Sequence, residues 1–486
     1  MTDPTVGKKK SWSPKRKLLL FGVLPLALVL AILLMLDRAA HRRLNAVFRE
    51  ARLIGGPVSF GELLAARKSW PDEENGPIIF LELEDRLSEL FRTREQFVAL
   101  PGFDGRPILA VNDALPLGRR LPAGQDREAG QVLTRLTADL SQIDRLLGFQ
   151  GGCFPLTIPT GPGGFYPQHL SHVHLSAKLK AAQAQYRVMH GDLSQAVKDV
   201  RVILMHGQLL ADEPTLVSAA TRIVCEELAV DTVQRICALA TLTPEQLKEL
   251  QDRLADTQCP DRLAWGIRGE RAGFIQIADW HRLRNEIHWI HGDPGGLDPP
   301  PRWVGRIPGI RGLNVWDEAA GLHLYNRQVA AAGDRKRALQ AHREVVAEMD
   351  KISKLHSLTL SIMPPLKQFF EQDGNLEAQI RAAVAGLAAE RYRLDHGRFP
   401  DRLEDLVPQY LPQVLLDPFN DEPLRLRHCD GALMIYSVGA DLIDDGGGLR
   451  GWMQKGPYPD WGFILLPPER RGLPATQPAA ETQTGT

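Results

Sequence analysis

Residues equipped for chemistry fall into a few clusters. Asp441, Asp444 and Asp445 place three carboxylates within five positions, followed by Gly446, Gly447 and Gly448, with Asp460 farther on. Such a cluster is either a solvated acidic turn or a group of charges that a hard cation would neutralise. His169, His172 and His174 stand in PQHLSHVHL, close enough to share zinc or copper. On a helix His169 and His172 share a face while His174 points elsewhere, and no nearby carboxylate completes a set. His288 and His291, in EIHWIHGD, can meet on one helix face, where capping or surface roles are the ordinary ones. Cys153 follows Gly151 and Gly152 in a loop-like stretch, with no local histidine to activate it. The chain lacks the phosphate-loop pattern Gly-x-x-x-x-Gly-Lys-Ser/Thr, the zinc-protease pattern His-Glu-x-x-His and the nucleophile elbow Gly-x-Ser-x-Gly. These residues designate no catalytic group and no small-molecule substrate.

The elements that must position these groups belong to a chain of 486 residues, enough for roughly three structural units. Lys and Arg number 58 and Asp and Glu 59, so the charge balance argues against a dedicated nucleic-acid binder. Five cysteines without a Cys-x-x-Cys pair exclude a disulfide-dense scaffold and a zinc ribbon. In an oxidising compartment two of Cys153, Cys225, Cys237 and Cys259 could bridge, leaving Cys429 over, and sequence does not choose the pair.

Leu18 to Leu36, LLLFGVLPLALVLAILLML, is apolar on all faces. Its 19 residues span about 28 Å, near the thickness of a bilayer's hydrocarbon core. Pro25 is tolerated in a membrane helix, and Asp37-Arg38 replace the small-x-small site of a cleaved signal. Six basic residues precede the run and five follow closely, a slight bias that places residues 1–17 in the cytoplasm. The expectation is a single-pass inner-membrane protein, anchored by 18–36, whose bulk is extracytoplasmic.

Beyond the anchor the pattern is helical. Residues 37–165 are expected as a stalk with Gly/Pro-rich loops, including a helix from Ala39 to about Arg67 and an irregular loop from Pro101 to Gly124. Residues 166–374 are expected as an all-helical domain. Within it two helices meet at Gly191-Asp192 in a tetratricopeptide-like pairing, with Asp192 as cap, but no 34-residue period signals a solenoid. Thr243-Pro244-Glu245-Gln246 reads as a helix start with a capping box. Gly292 to Leu313 reads as another Gly/Pro-rich loop. At the carboxyl end Ile380, Ala383, Val384, Leu387, Ala388 and Leu394 form an apolar helical stripe that Gly397 terminates. Leu424 to Arg427 alternates as a strand, Asp430-Gly431 forms a hairpin turn, Leu433 to Tyr436 is the partner strand and Gly462 to Leu466 a third. Gly472 to Thr486 reads as a disordered tail. The fold class is mainly α, ending in a small α+β unit over 375–470: one helix on a three-stranded antiparallel sheet.

That last unit resembles the C-terminal half of the major pseudopilins of type II secretion systems. The resemblance rests on Tyr392-Arg393, Gly397-Arg398-Phe399-Pro400, Leu403, Leu406-Val407-Pro408, Tyr410-Leu411-Pro412, Asp417-Pro418-Phe419, Pro423-Leu424-Arg425, Tyr436 to Asp441 and Asp445-Gly446-Gly447. The processing motif that opens family members is absent before Leu18 to Leu36, and Leu442 stands where the family has Gly. GDLSQAVKDV and LLADEPTLVS in turn resemble stretches of uncharacterised planctomycete-type membrane-anchored helical proteins. The pseudopilin resemblance implies calcium in the loop after the Tyr-Ser-Val-Gly-Ala-Asp segment, with Asp441, Asp444, Asp445 and Asp460 as metal ligands and the glycines bending carbonyls inward. It also implies partners among secretion-system or envelope proteins. The function expected is a membrane-tethered scaffold or docking protein; the alternative is an extracytoplasmic hydrolase with its site between the Gly/Pro-rich loops and the helical block.

Overall fold

The computed structural model describes residues 14–97, 100–101, 116–157, 167–284, 306–352, 357–363, 366–449 and 460–475. His288 and His291 lie outside them. The chain is helical without interruption from Pro14 to Ile54, with a wider π turn at Leu19–Val23 just before Pro25, whose ring removes a backbone donor. We label its long segment, Leu24–Ile54, α1. Its first part is the one described helix long and apolar enough to cross a membrane, and that part is almost wholly exposed. Its second part is different. Asp37, Ala40, Leu44, Val47 and Ala51 recur at three- and four-residue steps and are buried. The helix therefore passes from an all-apolar rod into an amphipathic element of the body. It ends at Gly55, two residues earlier than a Pro or β-branched residue would force, because Gly55 and Gly56 take positive φ angles of 87° and 79°. The expected helix to Arg67 is thus broken, and resumes as Phe60–Ala66 with Ser59 as its cap.

Short helices at Ile78–Glu82, Glu84–Arg92, Ala123–Arg135 and Thr137–Asp144 cover one side of the central block. That block contains α2 (His169–Met189), α3 (Leu193–Gln208), α4 (Leu216–Leu239), α5 (Pro244–Ala255) and α6 (Ala264–Arg284). Gly191 turns α2 into α3 with φ of 83°, as the spacing predicts, although the Asp192 side chain makes no capping bond. Thr243 and Gln246 do form the capping box at α5. Next come α7 (Pro308–Ala331), α8 (Arg335–Met349) and α9 (Lys367–His396).

The start of α7 corrects the end of the expected loop from Gly292 to Leu313, whose residues 292–305 lie outside the described set. Pro308 occupies the first helical position, where its missing N–H is no loss. Gly309 and Gly312 are there for approach: a Cβ at Gly309 would lie 2.3 Å from Leu33 Cδ2, and one at Gly312 3.0 Å from the Asp37 Cα. Pro308, Gly309 and Gly312 mark a helix start and crossing.

The C-terminal unit has the expected architecture. α9 buries Ile380, Ala383, Val384, Leu387 and Ala388 and ends at Gly397 in the left-handed conformation. Strands β1 (Arg425–Cys429), β2 (Ala432–Ser437) and β3 (Trp461–Leu465) form an antiparallel sheet in that order, with Leu426 opposite Ile435 and Ile435 opposite Phe463. Asp430 and Gly431, both at positive φ, make the tight hairpin. Every residue of β2 is buried. Leu433, Ile435, Phe463 and Leu465 face α9, and Gly386 lets the helix sit down on the Phe463 ring. Ala432, Met434, Tyr436 and Ile464 pack on the opposite side with Ala238 and Leu466.

This unit does not stand apart from the helical block. Its core residues are continuous with those of α2 to α5. The free edge of β3 is covered by α4, where Gln234 Oε1 accepts the Ile464 N–H at 2.8 Å. Arg262, fully buried, bonds Glu226 of α4 and Asp373 of α9, and Arg335 of α8 reaches the same Asp373 at 2.7 Å. The beginning of the expected disordered tail is also built in. Gly472 N–H donates to Ala238 O, and Leu473 exchanges backbone bonds with Gly118 and Arg120. Arg471 and Arg393 both pair with the buried Glu390. Burial pushes the Glu390 carboxyl up, but the two guanidinium groups outweigh it and hold it below the usual range. Residues 476–486 lie outside the described set. Arg471→Ala strips Glu390 of one of its two cations, and a loss of about 2–3 kcal/mol in the unfolding free energy of the detergent-solubilised protein is expected. A melting temperature equal to that of the parent would show that this docking contributes nothing.

Candidate functional site

Three regions gather ionisable side chains. The first is the loop after β2. Asp441 Oδ1 accepts the N–H of Ile443, closing a turn on itself. Asp444 Oδ1 accepts the Gly446 N–H at 2.9 Å and the Tyr436 hydroxyl at 3.0 Å. Asp445 is exposed. Asp460 is buried and its Oδ2 accepts the N–H groups of Gly447 and Gly448 at 2.8 and 2.9 Å. Burial pushes its carboxyl up, against the pull of those amides. Its second oxygen, Oδ1, is buried without a hydrogen-bond partner. The structure thus brings the four aspartates to one loop and turns three of them toward its backbone amides. Among the described residues no three His, Cys, Asp or Glu side chains converge on one point. Leu442, the position where the resembled family has Gly, has φ of 62°, a left-handed conformation that costs any side chain with a Cβ.

Beneath the loop lies a residue to which the sequence assigns no role. Asp417 is buried and accepts from Phe419 N, Ser437 Oγ and Val438 N at 2.9, 2.9 and 3.0 Å. It fastens the Asp-Pro-Phe turn to the end of β2 and so fixes where the acidic loop begins. The only sequence signal for it is an Asp ahead of a Pro, which marks a turn but not its partner.

The second region surrounds the histidines of α2. His169 Nε2 meets Glu213 Oε1 at 2.8 Å and stacks on Phe154, while Ser218 donates to the other Glu213 oxygen at 2.6 Å. His172 meets Ser88 Oγ at 3.0 Å. His174 is buried elsewhere, and burial pushes it down to about 4. The three histidines thus have three separate environments: His174 points away as its spacing requires, while His169 and His172, on one face, take different partners. Cys153 is held through its backbone N–H by Asn75, and burial raises its thiol. All five cysteines are free thiols.

The third region joins the apolar helix to the body. Arg311 of α7 grips Asp37 of α1 with two bonds, Nε to Oδ1 at 2.9 Å and Nη2 to Oδ2 at 2.5 Å. Higher up, α6 and α7 run antiparallel: Arg282 meets Glu318, Phe274 packs on Tyr325, and Arg271 donates to Asn326. Glu318, Gly321, Tyr325 and Gln328 form one stripe at three- and four-residue steps, a polar counterpart of a helical seam. Burial pushes the Glu318 carboxyl up to about 7, against the pull of Arg282. Arg271 is fully buried against neutral acceptors, Asn326 Oδ1 and Pro57 O, and burial pushes it down to about 10. Tyr325 Oη and both amide atoms of Gln328 are buried without hydrogen-bond partners.

Compared with protein-family models, with curated proteins and with solved structures, the chain finds no match.

Glu318 gives the junction a pH dependence of defined sign. Its folded value near 7 exceeds the ordinary 4.5, so the folded state binds this proton more tightly than the unfolded one. Its contribution is complete below the ordinary value and is lost as pH rises through the folded value. The melting temperature is expected to fall between about pH 5 and about pH 8, and to fall less in Glu318→Gln. Parallel pH profiles for parent and variant would refute the assignment.

Proposed function

We propose that this protein is a membrane-anchored extracytoplasmic scaffold, with the helical block as a docking surface and the C-terminal unit as a pseudopilin-like interaction module. The observation that carries it is the continuity of α1: one helix is exposed and apolar over a bilayer's length and then becomes a buried element of the body. A chain with that helix cannot leave Leu26, Leu28 and Met35 in water at tolerable cost, whereas lipid accepts them. The helix-on-sheet unit, the hairpin at Asp430-Gly431 and the order of the Pro and Gly positions support the second half of the reading. They point to partners in a type II secretion or pilus-like assembly of the cell envelope. The basic residues before Leu18 support an inner-membrane protein with its short amino end in the cytoplasm.

Calcium belongs to this reading as a stabiliser of the acidic loop. Its support is the partnerless Asp460 Oδ1 beside the exposed Asp445 and the three successive glycines. The ion would balance carboxylates that now turn toward the loop's backbone amides. Millimolar calcium is expected to raise the melting temperature of the full chain, and Asp460→Asn to remove the increase. An unchanged melting temperature eliminates the ion.

Membrane attachment is tested by fractionation. The protein is expected in the membrane pellet after alkaline carbonate extraction, and its body is expected to be cut by protease added to spheroplasts. Release by carbonate would overturn the anchor, and protection from protease would reverse the orientation. Crosslinking followed by pull-down is expected to recover components of a secretion or pilus-like machine, and their absence would overturn the module's assignment.

A further inference from the structure

We infer that the body of the protein rests on the bilayer surface, with the first turn of α7 at the hydrocarbon edge and its second, Leu313 to Trp316, at the depth of anionic lipid headgroups beside the anchor. The inference rests on the membrane reading of α1 and goes beyond it, since an anchor alone permits a body on a free tether.

The geometry is set by the parallel packing of α1 and α7. Gly309 lies against Leu33, Gly312 against Asp37, the Trp316 ring 5.1 Å from the Arg43 guanidinium, and His323 3.1 Å from Glu50. Both helices thus climb from the same level. Leu33 precedes the end of the apolar run at Leu36 by three residues. At 1.5 Å per residue the start of α7 is level with a point roughly 4–5 Å inside the hydrocarbon edge. Asp37 and Arg311 then close their ion pair at the boundary, where a paired charge is tolerated and a lone one is not.

The outward side of α7 is built for such a boundary. Leu313 is 43% and Trp316 36% exposed, although both belong to a helix otherwise buried along most of its length. Ile32, Met35 and Leu36 of α1, below the level at which Gly312 meets Asp37, are exposed and apolar as well. In water a pair of exposed side chains such as Leu313 and Trp316 would be a cost. At headgroup depth it is an aliphatic residue at the hydrocarbon edge and a tryptophan above it, the arrangement that membrane interfaces favour. The charge agrees. Arg38, Arg42 and Arg43 are exposed on the first two turns of α1 beyond the run, and anionic headgroups attract such a cluster.

The test uses the full chain in lipid nanodiscs with acyl-brominated phospholipid as a depth-dependent quencher. A fluorophore is attached at Leu28→Cys, at Leu313→Cys or at Asp401→Cys, with the labelled parent protein as the background for its native thiols. Leu28 lies within the apolar run and Asp401 is exposed on the C-terminal unit. Loss of emission is expected at 28 and at 313 and none at 401. The loss at 313 is expected to grow when phosphatidylglycerol replaces part of a zwitterionic lipid. Absence of quenching at 28 would overturn the anchor itself. Quenching at 28 without quenching at 313 would overturn the seated body while leaving the anchor intact, and would point to a protein surface covering Leu313. A signal at 313 indifferent to phosphatidylglycerol would overturn the assignment to anionic headgroups.

Discussion

The clasp between α1 and α7 is the constraint from which the rest of the architecture follows. Two glycines bring the helix backbones together, and a two-bond ion pair between Asp37 and Arg311 locks their register. Neither feature works alone. The glycines permit approach at any offset that avoids a side chain, and the ion pair, buried at Asp37 but 46% exposed at Arg311, selects one offset without adding much strength of its own. Together they fix the helix that emerges from the apolar run against the body, and α7 hands that position on to α6 through Phe274, Arg271 and Arg282. The apolar residues shared by α1, α6 and α7 form a core separate from that of the central block.

Polar burial is concentrated where these layers meet. Arg262 with Glu226 and Asp373 joins α4 to α9, and Glu318 with Arg282 joins α7 to α6. Buried ion pairs add little net stability compared with apolar packing, but removing one partner strands the other, so they penalise wrong assemblies of helices. In a mostly helical body with many similar amphipathic faces, that penalty distinguishes one packing from its neighbours.

The sequence revealed elements more readily than their relations. The apolar run, the α9 stripe, the capping box at Thr243 and the Asp430-Gly431 hairpin each carry a local signal, and each appears where that signal places it. Gly309 and Gly312 were misleading because glycine marks loops and close helix crossings alike, and only the partner's coordinates distinguish them. The stripe Ala40, Leu44, Val47, Ala51 was present in the sequence but overshadowed by the greasier run before it. The acidic loop was legible as a cluster of aspartates. Its internal bonds to backbone amides were not, since they depend on Asp417 and on a bend at Leu442 that no composition announces. Helical spacing alone set His174 apart from His169 and His172, but the separation of those two, by Glu213 and Ser88 as their partners, was not legible.

The docking of β3 and of Arg471 to Leu473 onto α4 has a consequence for biosynthesis. Gln234, Ala238 and Glu390 wait for partners more than eighty positions downstream or, for the first two, more than two hundred. On a ribosome the apolar helix emerges first, while the central helices still lack those partners. The body then closes as a unit only when residue 473 has been delivered. A nascent chain halted before β3 would expose the edge of β2 and leave the buried Glu390 with one of its two guanidinium partners, and so would be marked for quality-control proteases by the same contacts that complete the finished molecule.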